Sequence, residues 1–233
     1  VSTGEGQGAG RDAAPGPERD TGNGDFEFER RFWVRAVPPE LLDPRPTLVV
    51  QSYFLASEGY ALRVRAQAPS VAVDVPGGRT DLAPRVLLER HLDAVDLCTV
   101  TVKGPMVEGT RYEAERELDP SVAVELVRRG GSAVGKWRHS AWLDDDGWVL
   151  DVFVGEDAPL VVAEVERGGP VTDLTIPPFC ETEVTTDARF ANETLARRPY
   201  GTWGPAFLAE LARTGPAFLS SLGRNRRGTA PAG

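Results

Sequence analysis

Apolar and polar positions alternate with a period of two along most of this chain, the pattern of half-buried β-strands. Between about residues 25 and 35 it sets Phe26, Phe28, Phe32 and Val34 against Glu27, Glu29 and Arg31, since successive strand side chains point to opposite faces. Further strand-like runs fall at about 47–55, 60–66, 97–104, 109–118, 134–143, 147–154, 159–166 and 180–186, several bounded by turn pairs such as Glu108-Gly109 and Asp146-Gly147. Helical periodicity is rarer, at 84–95, 120–129 and 203–213, with a short helix at 188–197. The second of these has the sharpest ends: Asp119 as N-cap, Pro120 at the first helical position, and a stop at Gly130-Gly131. Many successive strands with few helices predict an α+β fold, an antiparallel barrel or sandwich with helices outside.

The polar faces of these strands carry charges of one sign at i and i+2. Glu27 and Glu29 share a face, as do Arg63 and Arg65, Glu113 and Glu115, Lys136 and Arg138, and Glu164 and Glu166. Lys103 follows Thr99 and Thr101 on one face, Arg111 precedes the Glu113 pair, and Asp151 stands alone between Leu150 and Val152. Any one strand reads as an amphipathic element with a solvated face. Solvated faces usually mix signs, because like charges side by side cost stability. Like-sign clusters make better sense where each receives a ligand of opposite charge. Basic clusters suit phosphate oxygens, and acidic pairs suit hard cations such as Mg²⁺ or Mn²⁺. A polyphosphate with its metal ion meets both demands.

Composition narrows the picture. The chain has 233 residues, 41% of them hydrophobic, enough for one sizeable domain. Residues 1–24 are rich in Gly, with Pro and acids, and read as a disordered tail, and a flexible tail is expected again at 216–233. No apolar run is long enough to span a membrane, and the first residues lack a signal-peptide pattern, so a cytoplasmic protein is expected. Cys98 and Cys180 lack CxxC spacing, and His91 and His139 are the only histidines, which argues against a disulfide framework or a zinc site. A formal net charge of −9 disfavours binding to a nucleic acid polymer. Of the 26 basic residues only Lys103 and Lys136 are lysines. Under an Arg-rich bias, a retained lysine is a candidate for chemistry.

In order along the chain, the motifs Glu27-Phe28-Glu29-Arg30-Arg31, Leu62-Arg63-Val64-Arg65, Thr101-Val102-Lys103, Arg111-Tyr112-Glu113-Ala114-Glu115, Lys136-Trp137-Arg138, Asp151-Val152-Phe153 and Ala163-Glu164-Val165-Glu166 resemble those of the CYTH domain, or triphosphate tunnel metalloenzyme, family. Glu183-Val184-Thr185-Thr186-Asp187 with Phe190-Ala191-Asn192 is similar to the family's closing motif, so the resemblance runs over about residues 25–200. It implies an eight-stranded antiparallel tunnel with a polar interior and helices outside. It also implies hydrolysis of inorganic triphosphate or a small organic triphosphate. Glu27, Glu29, Glu164 and Glu166 would then bind Mg²⁺ or Mn²⁺. Arg63, Arg65, Lys103, Arg111, Lys136 and Arg138 would hold the triphosphate, with Arg31, Glu115 and Asp151 in catalytic support.

Two departures bear on function. Arg31 stands where the family has the lysine that helps to position or activate water, and arginine stays protonated in proteins and cannot act as a base. The connection at about 67–97 is long; an insertion there can cap a tunnel mouth, touch an organic part of the substrate or form a homodimer surface. Two alternatives to a hydrolase remain open. One is a cyclase or lyase that expels pyrophosphate, and the other is a non-catalytic polyphosphate or nucleotide binder.

Overall fold

The computed structural model of the chain describes residues 28–107 and 110–228. Nine strands form one sheet in the order β10-β1-β8-β7-β6-β2-β3-β4-β5. They are β1 (Phe28–Val34), β2 (Thr47–Ser57), β3 (Tyr60–Ala68), β4 (Leu97–Val107), β5 (Thr110–Glu117), β6 (Ser132–Leu143), β7 (Asp146–Phe153), β8 (Val161–Arg167) and β10 (Cys180–Glu183). Every neighbouring pair in this sheet is antiparallel. β9 (Thr175–Ile176) and β11 (Arg226–Arg227) make a separate parallel pair. The mixed α+β class with a large antiparallel sheet is as expected from the periodicity. The count and the closure differ from an eight-stranded tunnel: β10 adds a ninth strand beside β1, and no hydrogen bonds join the edge strands β10 and β5 among the described residues.

One face of the sheet is apolar and covered by two helices, α1 (Pro84–Arg90) and α2 (Pro120–Arg129). Phe32, Val50, Val64, Ala66, Trp137, Val152 and Ala163 from the strands pack there with Leu87 and Leu88 of α1 and Ala123 and Val127 of α2. Asp119 caps α2 as the sequence predicts, its Oδ1 accepting from the amides of Ser121 (2.9 Å) and Val122 (3.3 Å). At the other end of α2, Arg85 donates Nε to the Val127 carbonyl (2.7 Å) and Nη2 to those of Gly130 (2.7 Å) and Gly131 (2.6 Å). The 67–97 connection is therefore part of the covering layer, where it satisfies carbonyls that a helix end leaves unpaired. Its helix stops at Arg90, and a 3₁₀ turn at Leu92–Ala94 takes over the rest of the predicted span.

The opposite face is charged over part of its length only. At one end Trp33, Tyr53, Val134, Phe153 and Val162 meet Phe190, Leu195, Trp203, Phe207 and Leu211 from the chain after β10. That segment includes the short α3 (Asn192–Leu195) and α4 (Gly204–Thr214). Phe190 lies edge-on to Phe207 and Trp203 at centroid distances of 5.0 and 5.1 Å, and Trp33 to Phe207 at 5.6 Å. The charged face is thus bounded at one end by an aromatic plug. Trp33 is buried in that plug.

From residue 216 to 228 the described chain lies back against the sheet. Phe218 packs near Phe32, with ring centroids 6.4 Å apart, and the Arg227 guanidinium lies 4.6 Å from the Phe218 ring. Leu219 donates its amide to Glu183 Oε2 at 2.9 Å, and Asn225 Oδ1 accepts from Arg30 Nη1 at 2.7 Å. Arg30 itself, 1% exposed, shares the apolar face with Phe32 and is held by both Glu183 oxygens at 2.8 and 2.6 Å. No described helix is long and apolar enough to cross a membrane.

Candidate active site

Cross-strand register places several of the like-sign runs of single strands beside residues of opposite sign, with Glu29 opposite Glu166 as an exception. Arg63 stands opposite Thr101, Thr101 opposite Glu115, and Lys103 opposite Glu113. Arg138 stands opposite Asp151, Arg31 opposite Glu164, and Glu29 opposite Glu166. Residues directly opposite share a face, so the sheet brings Glu29, Arg31, Arg63, Arg65, Lys103, Glu115, Lys136, Arg138, Asp151, Glu164 and Glu166 onto one surface. Glu27 lies outside the described residues, as does the side chain of Arg111.

Two ion-pair clusters organise that surface. In the first, the fully buried Asp151 touches the Lys136 ammonium and holds the Arg138 fork, Nε to Oδ1 at 2.8 Å and Nη2 to Oδ2 at 2.7 Å. Arg138 Nη2 also reaches Glu164 at 3.1 Å, and Lys136 Nζ lies 3.4 Å from Asn192 Oδ1. Burial works against the Asp151 charge, but Arg138 and Lys136 outweigh it and hold the carboxyl well below the ordinary range. Burial in turn pulls the Lys136 ammonium below its usual value, opposed by Asp151 and Glu164.

In the second cluster Arg63 donates Nε to Thr101 Oγ1 at 3.1 Å and directs Nη2 at Glu113 and Glu115, at 3.3 and 3.4 Å. Thr101 donates to Glu115 at 2.6 Å, and Lys103 pairs with Glu113 at 2.5 Å. Burial alone would raise the Glu115 carboxyl; the Thr101 hydrogen bond and the arginines Arg65 and Arg63 hold it below its ordinary value.

Arg65 lies between the clusters and differs from its neighbours. Among the described residues no carboxylate comes within ion-pair distance of it, and burial, with Arg63 and Arg138 nearby, lowers it to about 10. Its partner is neutral. With the Gln51 carboxamide oriented to satisfy both of its ends, the oxygen accepts from Arg65 Nε (3.0 Å), Arg65 Nη2 (3.2 Å) and Arg63 Nη1 (3.3 Å), and the nitrogen donates to Tyr53 Oη (3.2 Å). The motif reading passed over Gln51 and Tyr53. The available signal was two polar-tipped residues at i and i+2 inside the apolar run of β2.

Arg31 is held by backbone carbonyls. Its Nη1 and Nη2 donate to the carbonyls of Phe190 (3.1 Å) and Thr185 (3.0 Å), while Nε lies 3.4 Å from Glu29 Oε1. No group of three or more His, Cys, Asp or Glu side chains converges as a metal cage among the described residues. Glu164 is engaged by Arg138 and Glu29 lies beside Arg31, with Glu166 directly opposite Glu29 on β8.

A large antiparallel sheet that gathers buried and half-buried cations from β1, β3, β4 and β6 on one face, with no carboxylate within ion-pair distance of Arg65 among the described residues, has the build of an anion-binding fold. No protein-family model matches the chain. A curated relative, the inorganic triphosphatase of Acetivibrio thermocellus, is 31% identical over 103 residues, covering 43% of this chain and 66% of the relative. The chain thus spans just under two thirds of that relative's length. A crystal structure of an inorganic triphosphatase aligns at 27% identity over 73% of this chain and 93% of its own, with a TM-score of 0.46. An adenylyl cyclase candidate from Hippeastrum with a dominant triphosphatase activity aligns at 16% identity over 60% and 79%, with a TM-score of 0.35. At these scores the superpositions add no argument, whereas the sequence match agrees with the motif resemblance.

Proposed function

We propose that this chain is a CYTH-type tunnel metalloenzyme that hydrolyses inorganic triphosphate or a small organic triphosphate on its charged face. The observation that carries the reading is Arg65. A guanidinium held beside two others, with no carboxylate within ion-pair distance among the described residues, is stabilised by an arriving anion, and arginine forks match phosphate oxygens. In this reading Arg63, Arg65, Lys103, Arg111, Lys136 and Arg138 grip the triphosphate, and the sheet edges draw round it to complete a tunnel. Asp151 and Glu115 hold the cations in place. The sequence match to an inorganic triphosphatase supports the same substrate class.

Glu29 and Glu166 face each other across β1 and β8. Like charges so placed gain from a shared cation, and carboxylates suit the hard ions Mg²⁺ and Mn²⁺. The residues therefore fit such an ion, with Glu27 and Glu164 completing the set. The ion's contribution is charge neutralisation at the phosphate oxygens. Arg31 keeps its proton, so it orients the 185–190 segment and leaves proton transfer to another group.

The deciding experiment supplies tripolyphosphate or ATP with Mg²⁺ or Mn²⁺ and measures both orthophosphate and pyrophosphate. Orthophosphate release from tripolyphosphate is expected. Pyrophosphate release from ATP as the main product would select the cyclase or lyase alternative, and tight binding without turnover would select a binder.

A further inference from the structure

We infer that Gln51 is a positioning residue that fixes the paired guanidiniums of Arg63 and Arg65 for a polyphosphate without cancelling their charge. The inference rests on the triphosphate reading of the same face.

Two arginines at i and i+2 on one strand repel, and each long side chain has several rotamers to lose on binding an anion. A carboxylate between them would order both, but it would also remove the positive charge that draws the ligand. Gln51 supplies an acceptor with no net charge. It is 2% exposed, lies opposite Arg65 on β2, and its amide oxygen receives three N–H groups from the two forks at 3.0–3.3 Å. The two forks only donate and so turn the amide oxygen toward themselves, while Tyr53, 4% exposed, accepts from the Gln51 nitrogen at 3.2 Å. Arg63 is further tied to Thr101, Glu113 and Glu115, whereas Arg65 depends on Gln51 for its orientation. A buried carboxamide with both ends satisfied is expensive to disturb. Here that rigidity falls on Arg65, which has no carboxylate within ion-pair distance among the described residues.

The test uses the full chain and tripolyphosphate as probe, with binding measured by calorimetry and turnover by phosphate release. Gln51→Glu keeps the shape and the Tyr53 contact but puts a negative charge between the two forks. It is expected to melt no lower than wild type, yet to bind tripolyphosphate at least tenfold more weakly, with a raised KM. Gln51→Met removes the acceptor and leaves the charges. It is expected to lower kcat more than it raises KM, since long-range attraction persists while orientation is lost. A folded Gln51→Glu protein with wild-type affinity would overturn the inference, even if Gln51→Met failed to fold. Failure of the wild-type chain to bind tripolyphosphate would instead remove the underlying triphosphate reading.

Discussion

Arg31 and Asp157 show how a side chain's partners decide what its charge can do. Arg31 uses the two ends of its guanidinium on the carbonyls of Phe190 and Thr185, tying β1 to the segment that leads into α3. An ammonium at this position would be a single point of donation. Arg31→Lys is therefore expected to lower the melting temperature by several degrees without raising kcat for tripolyphosphate; a rise in kcat would mean that this side chain acts on the water after all. Asp157 is 4% exposed and accepts the Tyr200 amide at 2.8 Å, and burial, with Glu156 adding to it, pushes its carboxyl up to about 6. A carboxyl raised in the folded state contributes fully to stability below its unfolded value and loses that contribution as pH rises through the folded one. Asn accepts the same amide without the charge. Asp157→Asn should match wild type near about pH 4 and exceed it above about pH 6.5, by up to ~3 kcal/mol. Urea unfolding at both pH values checks this, and a gap independent of pH would refute it.

Elements differed in how plainly the sequence announced them. α2 was legible because Asp119, Pro120 and Gly130-Gly131 are local signals with local causes, and the alternation within each strand was legible for the same reason. α4 was legible as a helix, but its role was not. Phe207 and Leu211 form an ordinary apolar stripe, and nothing in a stripe says whether it covers the outside of a sheet or fills one end of a polar face. Phe207 meets Trp203 at the start of its own helix, Phe190 from the segment just before it, and Trp33 from β1 near the other end of the chain. Phe207→Ala should destabilise the fold by about 3–5 kcal/mol, the cost of a large aromatic cavity in a packed cluster. Thermal unfolding measures the loss, and a change under ~1 kcal/mol would mean that the plug collapses readily around the gap.

For the molecule as a whole, the sheet joins acids from opposite ends of the sequence, since β1 and β8 lie side by side with Glu29 opposite Glu166 and Arg31 opposite Glu164. The double substitution Glu164→Gln, Glu166→Gln is expected to cut metal-dependent turnover by at least 100-fold, with folding checked by circular dichroism. Unchanged activity would end the assignment of a metal to this edge.

The sequence by itself determined the strand alternation, the α+β class, the capped helix and the residue types on the charged face, because these follow from side-chain periodicity and local chain chemistry. Only the tertiary structure decided that several like-charge pairs along a strand become ion pairs across strands, that β10 lies beside β1, that aromatics plug one end, and that Gln51 sits between Arg63 and Arg65. Each of these depends on which strand lies beside which and in what register, and register is set by packing between segments far apart in the chain.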